Sequence, residues 1–83
     1  MFTSSVSTDP TWIKKFQTKF NFEKALTSIK TYQNSDKTLT GIIMGFEDGT
    51  GRWQLEGNGI KVGSFGNYFD YQDCINKVEC NFN

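Results

Sequence analysis

Apolar residues recur at helical spacing in two places along the chain. Phe22, Ala25, Leu26 and Ile29 stand at i, i+3, i+4 and i+7, and Tyr71, Cys74, Ile75 and Val78 repeat the same offsets. Four apolar groups on one stripe predict an amphipathic helix over 22–33 and a second over 71–80. Between them the period changes to two. Trp53 and Leu55 fall on one side of Arg52–Glu56, with Arg52, Gln54 and Glu56 on the other, as in a half-buried strand. Leu39–Phe46 reads as the preceding strand, and Glu47-Asp48-Gly49-Thr50-Gly51 as the turn between them. Gly57-Asn58-Gly59 makes a tight hairpin, from which Ile60 and Val62 return along the buried face. Residues 38–66 thus read as a three-stranded antiparallel meander.

The two stripes belong to a longer repeat. Phe16–Lys30 aligns with Phe65–Glu79 over fifteen positions, 49 residues apart, pairing Phe16 with Phe65, Phe20 with Phe69, Asn21 with Asp70 and Phe22 with Tyr71. Asn21 and Asp70 are suited to cap the first turn of the helix that follows each. Trp12–Phe20 fits both a helical stripe (Trp12, Ile13, Phe16, Phe20) and strand alternation (Trp12, Phe16, Thr18, Phe20). The repeat selects strand over Phe16–Phe20, because Phe65–Phe69 follows a β-rich stretch. Gln33-Asn34-Ser35-Asp36 then forms the turn after the first helix. Residues 1–9, small and polar, read as a flexible arm that Pro10 closes. The expected fold is a single α+β domain over 10–83 with element order β-α-β-β-β-α. Both short helices dock on one face of a curled antiparallel sheet, since neither is stable alone.

Composition narrows the class. Thirteen aromatic residues in an 83-residue chain give large burial per side chain to a core that must be small. No apolar run approaches the ~18 residues of a membrane span, and a secretory leader pattern is missing, so a cytoplasmic protein is expected. Cys74 and Cys80 are six positions apart, about 9 Å along a helix, beyond the ~7 Å that a disulfide tolerates. Cys74 lies on the apolar stripe and reads as a core residue, and free thiols suit a reducing compartment.

Catalysis finds little support. The chain has no histidine, hence none of the commonest general base or metal ligand, and no C-x-x-C pair. Glu47 and Asp48 sit in an exposed turn, where burial could hardly tune a carboxyl group. Gly57, Gly59, Gly63 and Gly66 are spread over a hairpin and a strand, whereas a phosphate-cradling loop joins a strand to a helix. Ser64 has no base beside it in sequence. The expectation is a non-enzyme, with no catalytic residue, cofactor or metal.

The net charge is zero but unevenly placed. Residues 1–40 carry six lysines against three acids, +3, and residues 41–83 three cations against six acids, −3. A solvated surface explains this blandly. The sharper reading is a basic patch of Lys14, Lys15 and Lys19 that meets an acidic partner or a phosphate backbone, with Arg52 and Gln54 on the sheet as further partner contacts.

Gly51-Arg52-Trp53-Gln54-Leu55, Asn58-Gly59, Tyr68, and Cys74-Ile75 followed by Val78 and Asn81 together resemble the pattern of the YegP-like family of small bacterial domains. The resemblance covers 44–83 best, with part of a second unit at 16–34. It implies units of three strands followed by a helix, occurring in tandem or pairing as dimers, and transfers no functional residue. In format alone the chain is also similar to phage-encoded inhibitors of the anti-CRISPR type and to immunity proteins. The expected function is that of a small non-enzymatic protein that binds another macromolecule. Foremost is a protein–protein module or an inhibitor of a larger host complex, acting as monomer or homodimer. The alternative is weak nucleic-acid binding or a stress-associated YegP-like role, helped by any aromatics exposed beside the basic patch.

Overall fold

The structure, a computed structural model, describes residues 2–20 and 22–82. Its elements follow as β1 (Phe2–Ser7), α1 (Pro10–Phe20), β2 (Leu26–Asn34), β3 (Leu39–Phe46), β4 (Thr50–Gly57), β5 (Ile60–Gly63), β6 (Phe69–Asp70) and α2 (Tyr71–Glu79). The sheet runs β1-β2-β3-β4-β5 with every neighbour antiparallel, and β6 pairs with the start of β4 at Thr50 and Gly51. The α+β class and the central meander are as the sequence predicts. The first third is not.

Residues 16–20, expected as strand, end helix α1 instead. The helical phase of Trp12, Ile13, Phe16 and Phe20 prevails because the start of the helix is well capped. The Thr11 N–H donates to Asp9 Oδ1 at 2.9 Å and the Ile13 N–H to the Asp9 carbonyl at 2.9 Å. Pro10 takes the first helical position, where its missing N–H costs nothing. The helix expected over 22–33 is likewise strand β2. Its buried residues, Leu26, Ile29 and Tyr32, are three apart and so imitate a helical stripe. The spacing has another cause. A register shift between Leu26 and Ser28 inserts one residue, which leaves Leu26 and Ile29 on the same side of the sheet, while Tyr32 falls on the opposite side. The flexible arm expected over 1–9 is instead an edge strand over Phe2–Ser7, paired with β2 from Phe2↔Asn34 to Ser7↔Ile29. The proposed cap at Asn21 lies outside the described residues. That at Asp70 forms, its carboxylate accepting from the Gln72 N–H at 3.1 Å.

The helices do not share a face. Alternation along β3 sends Leu39, Gly41, Ile43 and Gly45 one way and Ile42, Met44 and Phe46 the other. On the first side Ile43 and its neighbours Tyr32, Leu55 and Leu39 pack under Cys74 and Val78 of α2, and Phe82 folds back over them. Gly41 makes this possible, because a Cβ there would stand 3.0 Å from Val78 Cγ1 and 3.2 Å from Leu55 Cδ2. On the second side Leu26, Ile29, Met44, Phe46 and Phe22 pack against Ile13 and Phe16 of α1. The sheet is therefore the middle layer of three, and the expectation of two helices on one face is corrected. The outermost strand fares differently from the expectation too: Ile60 and Val62 lie beyond the cover of α2 and are exposed. No helix among the described residues is long and apolar enough to cross a membrane.

Both cysteines are free, Cys74 buried and Cys80 exposed. Burial, assisted by Asp73 and Asp70, pushes the Cys74 thiol up to about 11. A chromogenic disulfide reagent at pH 8 should therefore titrate one thiol, Cys80, in the native protein and both in denaturant. Two fast-reacting thiols without denaturant would mean that α2 does not seal the core.

Candidate binding face

Helix α1 covers only the end of its face where Leu26, Ile29, Met44 and Phe46 lie. What it leaves open is set by strand alternation. The register that pairs Met44 with Arg52 also pairs Ile42 with Gln54 and with Thr31, and Thr40 with Glu56 and Gln33. These polar side chains, with Thr3 and Ser5 from β1 and Lys61 from β5, make the floor and rim of a trough of about 740 Å³. Phe16, Lys19 and Phe20 form its helical wall. Beside the trough, sharing Phe20 and Gln54 with it, lies a smaller recess of about 200 Å³, bounded also by Phe22, Arg52 and the Ser64–Gly66 turn.

The angle of α1, and so the width of the trough, is fixed by Gln17. Its Nε2 donates to the carbonyls of Phe22 and Lys24, each at 3.2 Å, and its Oε1 accepts from the Leu26 N–H at 2.7 Å. One side chain thus ties the helix to the chain that leads into β2. Aromatic rings run on from there as an unbroken series. Trp12 and Phe16 are 6.1 Å apart, Phe16 and Phe20 stack at 5.8 Å, and Phe20 and Phe22 at 5.5 Å. Phe22 meets Phe46 edge-on at 4.9 Å, and Phe46 meets Tyr68 at 5.2 Å. Cations line the same series. Lys15 Nζ lies 5.6 Å above Trp12, Lys19 Nζ 5.4 Å above Phe20, and Lys24 Nζ 4.2 Å above Tyr68. Each such contact is worth about 0.5–1 kcal/mol at an exposed site. The series therefore keeps the lysines close to the rings without locking them.

Of the five partner-binding residues expected from sequence, Lys19 and Gln54 line the trough, with Arg52 and Gln54 at the recess. Lys14 and Lys15 are exposed on α1 and line neither. Sequence reasoning missed Phe20, Glu56 and Lys61, and also Gln17, whose role is to position α1. A helical phase over 10–20 would have revealed Phe20, since Trp12, Phe16 and Phe20 then form one stripe with Lys15 and Lys19 beside it, and Glu56 shares the outward side of β4 with Arg52 and Gln54.

The turn at the recess is strained. The Ser64 carbonyl accepts from the Asn67 N–H at 3.1 Å, closing a turn with φ of 50° at Phe65 and 95° at Gly66. Buried Ser64 holds the turn to β4, donating its N–H to the Trp53 carbonyl at 3.0 Å and accepting the Trp53 N–H at 3.3 Å. Glycine adopts a positive φ freely, but a phenylalanine does not, and this ring is 80% exposed. Elsewhere on the chain, Tyr32 donates to Glu79 Oε2 at 2.7 Å, and burial together with this bond holds its hydroxyl far above the ordinary phenol range. Lys24 and Thr50 contact Asp48 and hold its carboxyl down to about 2. Neither group faces the trough, and both serve the framework. Among the described residues no cluster of three metal-ligating side chains forms. Compared with known proteins, the chain matches no family model, no curated protein and no solved structure.

A left-handed backbone costs a non-glycine residue about 1–2 kcal/mol, and asparagine tolerates it better. Phe65→Asn should accordingly raise stability by about 1 kcal/mol in a urea melt. A loss of stability would show that the exposed ring packs on the fold instead of standing free of it.

Proposed function

We propose that the protein is a non-catalytic binding module that seats a segment of a partner protein in the trough beside α1. One observation carries this reading: α1, the only helix on that side among the described residues, leaves part of the sheet face open, and the opening combines an aromatic wall with a hydrogen-bonding floor. Phe16 and Phe20 offer apolar area, Thr31, Gln33, Thr40 and Gln54 offer donors and acceptors, and Lys19, Lys61 and Glu56 supply charge of both signs. Protein interfaces concentrate their affinity in such aromatic and arginine anchors, surrounded by polar positions that exclude water. A module of this kind acts by occupying a surface, which suits an inhibitor of a larger complex.

Nucleic acid is the second reading, favoured by Trp12 at 53% exposed beside Lys15, and Phe20 beside Lys19. Exposed rings next to lysines are what single strands stack on. Glu56 within the trough and a net charge of zero weigh toward protein.

The test compares variants in capture from a lysate of the source organism, with nucleic acid followed by absorbance. Phe20→Glu should weaken retention of a specific protein by about 30-fold, the ~2 kcal/mol of an interface hot spot. Lys14→Glu/Lys15→Glu should retain it, with a modest loss confined to low salt. Equal retention by Phe20→Glu, with circular dichroism showing an intact fold, removes the trough from the reading. Loss of nucleic acid instead of protein supports the second reading.

A further inference from the structure

Three cations among the described residues are drawn part-way out of solvent: Lys24, Lys30 and Arg52. Two of them have a carboxylate. Lys24 Nζ lies 2.6 Å from Asp48 Oδ2, and Lys30 Nζ lies 3.7 Å from Glu79 Oε2. Arg52 has none among the described residues. Its guanidinium is instead held between two rings, 5.0 Å from the centre of Phe22 and 4.4 Å from that of Tyr68. Nη2 donates to the Gly66 carbonyl at 3.0 Å. Nε is buried and has no acceptor, and the Tyr68 hydroxyl in the same stack is buried without a partner as well. Buried donors are nearly always satisfied, and a half-buried charge is costly unless it is paired. Arg52 thus carries a positive charge with no carboxylate among the described residues to pair it, and it lines the 200 Å³ recess.

We infer that Arg52 anchors a carboxylate-binding pocket, which takes an aspartate or glutamate side chain of the partner segment lying in the trough; this rests on the function proposed above. The chemistry favours a carboxylate for several reasons. A guanidinium stays charged at every accessible pH and presents its donors in a rigid fork that matches a planar carboxylate. The two rings hold that fork in place before any partner arrives, so little side-chain freedom remains to be lost on binding. Phe20, Phe22 and Phe65 wall the recess, which suits a single acidic side chain flanked by apolar neighbours. A polyanionic strand fits less well, because continuing along the trough it would meet Glu56. Gln54 lines both recess and trough and can donate to the same segment.

Two blocked tripeptides, acetyl-Phe-Glu-Phe-amide and acetyl-Phe-Gln-Phe-amide, test this by magnetic resonance titration of the isotope-labelled chain. The glutamate peptide should shift the Arg52 Nε–H and Gly66 amide signals saturably, at millimolar concentration. The glutamine peptide should bind at least tenfold more weakly, and Arg52→Lys should weaken the glutamate peptide at least tenfold, because an ammonium cannot form the stacked fork. The comparison of the two peptides on the wild-type chain decides the matter even where Arg52→Lys fails to fold. Equal binding of the two peptides, or no saturable shift up to about 10 mM, overturns the inference, as does a short oligothymidylate displacing the glutamate peptide at equal concentration. Equal binding that still perturbs Phe20 would leave the trough standing as a docking site without the carboxylate pocket.

Discussion

The whole arrangement depends on one strand having to satisfy two cores. β3 lies in the middle of the sheet, and successive residues along it face different helices: Ile43 lies under α2, and Met44 lies under α1. Its outward groups are therefore all apolar or glycine through Gly41–Phe46, as in strands buried on both faces. Fully burying a side chain of this size contributes roughly 1.5–3 kcal/mol. In a chain of 83 residues, the two layers on either side of β3 are where most of that contribution can be found. Gly41 and Gly45 let α2 come close on one side. On the other, larger side chains (Met44, Phe46) meet a helix that stands farther along the sheet.

The binding face follows from this asymmetry. α2 sits across β3 and β4 and covers its side through Cys74, Val78 and the returning Phe82. α1 is tied by Gln17 to the entrance of β2, so it covers the Leu26 end and stops short of Ile42 and Gln54. The uncovered remainder of the face is polar where the covered part is apolar, and this is why the open sheet is compatible with solvent. Cohesion on the α1 side comes from stacked rings more than from ion pairs. On that side one salt bridge, Lys24 to Asp48, is present among the described residues, against five close ring pairs. Exposed ion pairs contribute little, whereas aromatic pairs add to the area they bury. The rings of that series that line the trough, Phe16 and above all the exposed Phe20, are what it presents to a partner.

Sequence pattern revealed the part of the fold in which one period governs one element. β4 alternates cleanly, the Gly57–Gly59 hairpin carries its own turn chemistry, and α2 has a capping Asp70 and a regular stripe. Arg52 and Gln54 were legible as outward residues for the same reason. β2 was not, because its bulge and its two buried faces convert a period of two into an apparent period of three. The likeness of Phe16–Lys30 to Phe65–Glu79 strengthened the wrong choice, since it matched residue types whose structural contexts differ. That choice in turn hid the trough, whose wall exists only if Trp12–Phe20 is helical. Lys14 and Lys15 form a basic run, but helical geometry turns Lys14 away from the side on which Lys19 stands, and Lys15, four residues before Lys19, lies one turn short of the trough.

The register of β2 on β3 is accordingly the feature to measure. In nuclear Overhauser spectra of the isotope-labelled chain, Ile29 should show cross-strand contacts to Met44, and Thr31 to Ile42, with extended backbone shifts throughout Leu26–Asn34. Sequential amide contacts at i to i+3 spacing over residues 22–33, without those cross-strand contacts, would show a helix there. Such a result would remove the middle layer of the fold and the trough with it.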